Sequence, residues 1–168
     1  MPVVSTPAPE ATGTFTPIGS TGVPGTAQAS LSASPAGVQP IRATRIRITR
    51  LGIDLQIVEG DGIDAPMGKA AHYPGSAWPG GGSNIYIYGH AQEGMFLSLW
   101  NARVGDAIVL DLADGSTRTY VVAQVLPQVP WNAMQYVRPT ATEQLTLQTS
   151  TSYHPTSPRF IVIAYPAS

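Results

Sequence analysis

The chain has 168 residues, 43% hydrophobic and 11% charged, with a formal net charge of -1, which suits one domain with a sizeable core and provides no global field to recruit nucleic acid or an anionic membrane. Lys69 is its single lysine, so the basic patch expected of a nucleic-acid binder is missing. Cysteine is absent, which excludes a disulfide framework, a thiolate metal site and a thiol nucleophile, and no run of about twenty apolar residues is present to span a membrane as a helix.

Residues 1–42 read as a flexible linker. Up to about Pro40 the chain is rich in Pro, Thr, Ser, Ala and Gly, with Glu10 its only charged side chain, a composition that cannot bury enough apolar surface to offset the entropy of ordering it. Within it, Pro9-Glu10-Ala11-Thr12-Gly13 reads as a chance string of linker residues.

Residues 43–168 read as the folded domain. Ile46 and Ile48 alternate with Arg45, Arg47 and Thr49, a half-buried strand whose arginines form a solvated outer face. Leu51-Gly52-Ile53-Asp54 turns the chain into a strand over Leu55 to Val58. Glu59, Asp61 and Asp64 sit among glycines; calcium takes such oxygen ligands, but turn chemistry accounts for the same residues.

A loop from His72 through Asn84 leads into the apolar strand Ile85 to Tyr88, which ends in Gly89-His90. His72 reads as a hydrogen-bonded structural residue. The spacing of Phe96, Leu99 and Trp100 predicts a short helix over 95–100. Ala107 to Leu112 and Arg118 to Leu126 form an antiparallel pair joined by the hairpin signal Asp114-Gly115. Pro127 to Glu143 is then a long loop carrying Trp131, Met134 and Tyr136, and loops of that length inside a compact domain are usually functional.

Leu145 to Ser150 alternates apolar and polar side chains and delivers a hydroxyl at its end, while Arg159 opens the next strand, through Ala164. The loop between them, Thr151 to Pro158, contains His154. No acid is placed in sequence to orient His154 as the partner of Ser150.

Thr146-Leu147-Gln148-Thr149 followed by Ser150, Arg159 at the head of the next strand, and the upstream Gly89-His90 together resemble the sortases, surface cysteine transpeptidases of Gram-positive and related bacteria. Their signature strand ends Thr-Leu-x-Thr-Cys; here Ser150 stands where that Cys belongs. The resemblance covers roughly Thr44 to Tyr165 and looks closer to the housekeeping or class D and E types than to the pilus-building type. It implies an all-β fold, a closed sortase-type barrel of about eight strands with short helices behind a disordered N-terminal stalk.

It further implies His90, Ser150 and Arg159 as catalytic positions, with Thr149, Trp131, Tyr136 and His154 along the substrate groove. No cofactor or metal is implied. The partners would be the sorting-signal peptide of a surface protein and an amine acceptor, a cell-wall precursor or a pilin lysine. Such a domain works on the outer face of the cell membrane, held by an N-terminal anchor, and the opening Met1-Pro2 reads as a chain from which that anchor has been removed. Because a hydroxyl does not ionise near neutral pH, binding with very slow turnover is expected. The rival readings are a non-catalytic peptide-binding module and a serine hydrolase using Ser150 with His90.

Overall fold

A computed structural model of the chain describes residues 39–168. The flexible-linker reading of the segment before the domain falls mostly, and the Pro9 to Gly13 string entirely, outside the described residues. Strands β1 (Ala43–Ile48), β2 (Ile53–Glu59), β3 (Ala70–His72), β4 (Asn84–Tyr88), β5 (Ala107–Leu112), β6 (Thr117–Val129), β7 (Gln144–Ser150) and β8 (Arg159–Pro166) form a closed barrel in the order β1-β2-β3-β4-β7-β8-β6-β5. Closure leaves no unpaired edge. Helical structure among the described residues is confined to 3-10 turns at Thr49–Leu51, Leu97–Asn101 and Met134–Tyr136, and no helix there is long and apolar enough to cross a membrane.

The period-2 pattern decides which side chains fill the barrel. Ile46 and Ile48 of β1, Ile85 and Ile87 of β4, and Leu145 and Leu147 of β7 are buried in one continuous core. The outward arginines are each matched by a carboxylate: Arg45 with Asp54 at 2.5 Å, Arg50 with Asp106 at 2.5 Å, and Arg47 with Asp111. The row is therefore a neutralised ion-pair face. Pairs this exposed add little stability each.

One side of the barrel is covered on its outside as well. Every residue of β4 is buried, because Tyr86 and Tyr88 face outward into a second apolar cluster with Ala71, against which Tyr73, Tyr136 and Val137 pack. Val129, Ile161 and Ile163 form a neighbouring cluster on the same side, again with Tyr136 against it. A parallel β4–β7 pair at this point fits the near-continuous apolar run of β4, since strands covered on both faces do not alternate. The outer layer turns this wall of the barrel into a groove.

Three elements differ from the sequence reading. β3 was not anticipated; it has three residues, too few to show a period, and exists through pairing with β2 and β4. β6 continues through Pro127 to Val129, with register shifts between Val122 and Gln124 and between Leu126 and Val129, the second of which accommodates Pro127, a residue unable to donate to the ladder. The short helix expected over 95–100 is the 3-10 turn Leu97–Asn101.

Elsewhere the local chemistry matches. The Asp114-Gly115 turn joins β5 to β6 as an antiparallel hairpin, with Gly115 at φ 84°. The Asp61 carboxylate accepts the backbone N–H groups of Ile63 and Asp64, both at 2.8 Å, which is turn chemistry; those hydrogen bonds hold it below the usual carboxylate range.

Candidate active site

Three strands converge at one rim of the barrel. β7 and β8 run antiparallel with Ser150 opposite Arg159. β4 runs parallel to β7 with Tyr88 level with Gln148, so Gly89 and His90 leave β4 at the end where β7 delivers Ser150. The topology thus gathers His90, Ser150 and Arg159, residues separated by as much as 69 positions in sequence, at one place. All three side chains are partly accessible.

Hydrogen bonds fix the His90 segment to the end of β7. The Gly89 N–H donates to the Gln148 carbonyl at 3.1 Å, and the Thr149 hydroxyl donates to the Gly89 carbonyl at 2.9 Å. Beyond His90 the chain turns back, with the Phe96 N–H donating to the His90 carbonyl at 3.0 Å. Glycine at 89 lets the chain pass close to Phe96, since a Cβ there would sit 3.1 Å from that ring, which is fully buried.

Arg159 lines a cavity of about 180 Å³ together with Tyr86, Tyr88, Gln148, Ile161 and Trp131. The Tyr86 hydroxyl donates to the Gln148 side-chain carbonyl. Tyr86 and Arg159 both line this cavity; burial pushes the Tyr86 phenol well above its ordinary range, and the Arg159 charge acts against that shift. The Arg159 guanidinium donates to the Pro155 carbonyl at 3.0 Å, which ties it to the β7–β8 loop. A fixed cation with further N–H donors is suited to holding a carbonyl or an oxyanion, not to accepting a proton.

The expected groove contacts divide. Trp131 lines the cavity and is 53% exposed, available to a ligand. Tyr136 packs between the outer apolar clusters, and its backbone carbonyl accepts from the Asn84 side chain at 2.8 Å; it supports the wall instead of facing the cavity. The Thr149 side chain is buried, and its hydroxyl donates to the Gly89 carbonyl. His154 is exposed, with Nδ1 bonded to the Thr156 hydroxyl at 3.0 Å on its own loop.

His72 is the structural residue anticipated. It is buried, with Nδ1 3.1 Å from a Glu59 carboxylate oxygen and Nε2 within 3.0 Å of the Ala77 carbonyl and 2.9 Å of the Ser76 hydroxyl, and its ring stacks on Trp78 at 3.6 Å. Gln148, Tyr86 and Trp100 were not singled out as site residues. The alternation of β7 was the available signal for Gln148, which must share the face of Ser150. Trp100 lies in the Leu97–Asn101 turn, and its indole N–H donates to the Ser150 carbonyl at 3.3 Å.

A sortase-domain family model matches residues 46–167 of the chain. Among solved structures, a lid mutant of sortase A from Corynebacterium diphtheriae is similar at 26% identity and a TM-score of 0.66, over 80% of this chain and 74% of that one. Another structure of the same sortase A is matched over 62% of its length. Sortase C-1 from Actinomyces oris is similar at 25% identity and a TM-score of 0.66, over 78% of this chain and 76% of that one. Sortase C from Clostridium perfringens SM101, at 20% identity and a TM-score of 0.64 over 75% of this chain and 70% of that one, bears on the fold alone. No curated protein matches the chain.

Proposed function

The chain belongs to the sortase family, and from that premise we propose that it binds the sorting signal of a surface protein in the Tyr86–Gln148 groove with His90, Ser150 and Arg159 as its catalytic positions. The observation that carries this is the register of Ser150 opposite Arg159 with Arg159 also in the groove wall. A peptide carbonyl presented at the groove's end meets nucleophile and cation together.

The reaction in this reading is attack by the side chain of residue 150 on the Thr-Gly carbonyl, an acyl-enzyme, and transfer of the acyl group to an amine. Arg159 stabilises the oxyanion, and His90 protonates the departing amine. With a hydroxyl at 150, a base must remove the proton during attack. The matched motif supplies no carboxylate to strengthen His90 for that task, and Arg159 keeps its proton. This chain therefore binds peptide and turns over very slowly or not at all.

The amine acceptor is a cell-wall precursor or a pilin lysine, and the domain works on the outer face of the membrane. Its Pro-Gly-rich approach to Gly89-His90 supports a reading nearer the housekeeping or class D and E types than the pilus-building type. Ser150 itself favours a second reading, a binding module that holds a peptide without processing it. A serine hydrolase is the third, and labelling of Ser150 by a fluorophosphonate would select it.

Mass-spectrometric cleavage of Leu-Pro-x-Thr-Gly and Leu-Ala-x-Thr-Gly peptides by the chain and by its Ser150→Cys variant tests the proposal. Acyl-enzyme or product from the thiol variant alone is expected. No turnover by folded thiol variant, with peptide affinity retained, replaces the enzyme with the binding module.

A further inference from the structure

We propose that Trp100 is a positioning residue for the nucleophile, clamping the end of β7 to the segment that carries His90. Its indole N–H donates to the Ser150 carbonyl at 3.3 Å, although 43% of the residue remains exposed. The turn that presents it is rigidly placed. Phe96 and Leu99 are both fully buried, the Phe96 N–H donates to the His90 carbonyl, and the Leu99 N–H donates to the Phe96 carbonyl at 3.1 Å. On its other side the turn is held by Arg50, whose guanidinium donates to the Asn101 carbonyl at 2.7 Å.

Hydrogen bonds thus link His90 to Phe96 and Phe96 to Leu99, whose chain neighbour Trp100 carries the connection through its indole to Ser150. Position 150 is where β7 ends and the ladder stops constraining the backbone. The carbonyl of Ser150 belongs to the peptide unit whose N–H, on Thr151, donates to the Pro158 carbonyl at 3.1 Å. Trp100 holds one end of that peptide plane and Pro158 the other, which fixes the direction in which the residue-150 side chain leaves the backbone. Small errors in such an aim cost rate steeply, since attack requires a near-contact geometry.

The kinetic half of this inference rests on the transpeptidase reading, so the experiment pairs turnover with a readout that does not need it. Because the chain has no cysteine, Ser150→Cys introduces the sole thiol, and its iodoacetamide alkylation rate against pH reports the setting of that side chain alone. Adding Trp100→Phe is expected to move the alkylation profile and to lower kcat for a sorting peptide roughly tenfold, with KM within about twofold of the parent. Benzothienylalanine at position 100, which keeps the ring's shape and replaces N–H by sulfur, should reproduce both effects if the hydrogen bond is responsible. It also decides the matter should the phenylalanine variant fold poorly. Superimposable alkylation profiles for the parent and the benzothienyl variant overturn the proposal. A moved profile in a thiol variant that processes no sorting peptide upholds the positioning role and removes the transpeptidase reading.

Discussion

Ser150 and Arg159 face one another as the last pair of the β7–β8 ladder, so a hydroxyl and a permanent cation are set across a single strand spacing by backbone hydrogen bonding. The ladder does what a flexible loop could not. Arg159→Lys, in the Ser150→Cys background, keeps the charge and loses the planar fork of donors. It should lower kcat/KM for a cleaved sorting peptide by about 10²-fold, read by product formation in chromatography, with the melting temperature little changed.

Trp131→Ala should weaken peptide binding by about 1 to 2 kcal/mol in calorimetric titration of the Ser150 chain. Because Trp131 is largely exposed on the groove wall, its removal should alter stability by less than about 0.5 kcal/mol. Equal affinity for both proteins would place the bound peptide elsewhere.

Thr149→Val preserves shape while removing the donor to the buried Gly89 carbonyl. An unsatisfied buried acceptor costs about 1 to 3 kcal/mol, which urea denaturation should register. In the thiol background the same change should also reduce turnover, since this bond ties the His90 segment to β7.

At Gly60 a Cβ would lie 2.2 Å from the Tyr88 hydroxyl, and that hydroxyl accepts the Gly62 N–H at 3.0 Å. Gly60→Ala should therefore displace the β2–β3 loop from Tyr88, destabilising the fold by about 1 to 3 kcal/mol and lowering peptide affinity, because Gly62 lines the groove. Denaturation and titration on the same sample separate the two effects.

Acid should destabilise the barrel through its ion-pair face. The Arg50 guanidinium, by its hydrogen bonds, holds Asp106 below the usual carboxylate range, and Arg45 does the same for Asp54. A carboxyl with a depressed folded value contributes stability that is fully present above its unfolded pKa, near about 4, and is lost as pH falls through the folded value. Melting temperature should be flat in this respect above about pH 5 and decline below about pH 4. Arg50→Gln should shallow that decline, and an unaltered acid limb would remove the Arg50–Asp106 pair from the explanation.

The residues themselves determined the all-β character, the hairpin at Asp114-Gly115, the inward isoleucines of β1 and the motif positions at His90, Ser150 and Arg159, because alternation, turn chemistry and residue identity are local properties. Three-residue β3, the passage of β6 through Pro127 and the task of Thr149 were not legible. Each depends on a partner far along the chain: β3 on its neighbours β2 and β4, Pro127 on a register shift against β8, and Thr149 on the carbonyl of Gly89. The groove is likewise a tertiary product, since Tyr86 and Tyr88 read as ordinary strand residues until the outer layer covers them. Period and propensity report how one strand meets water; only closure of the barrel decides which strand ends share a rim, and therefore which side chains can act on one substrate.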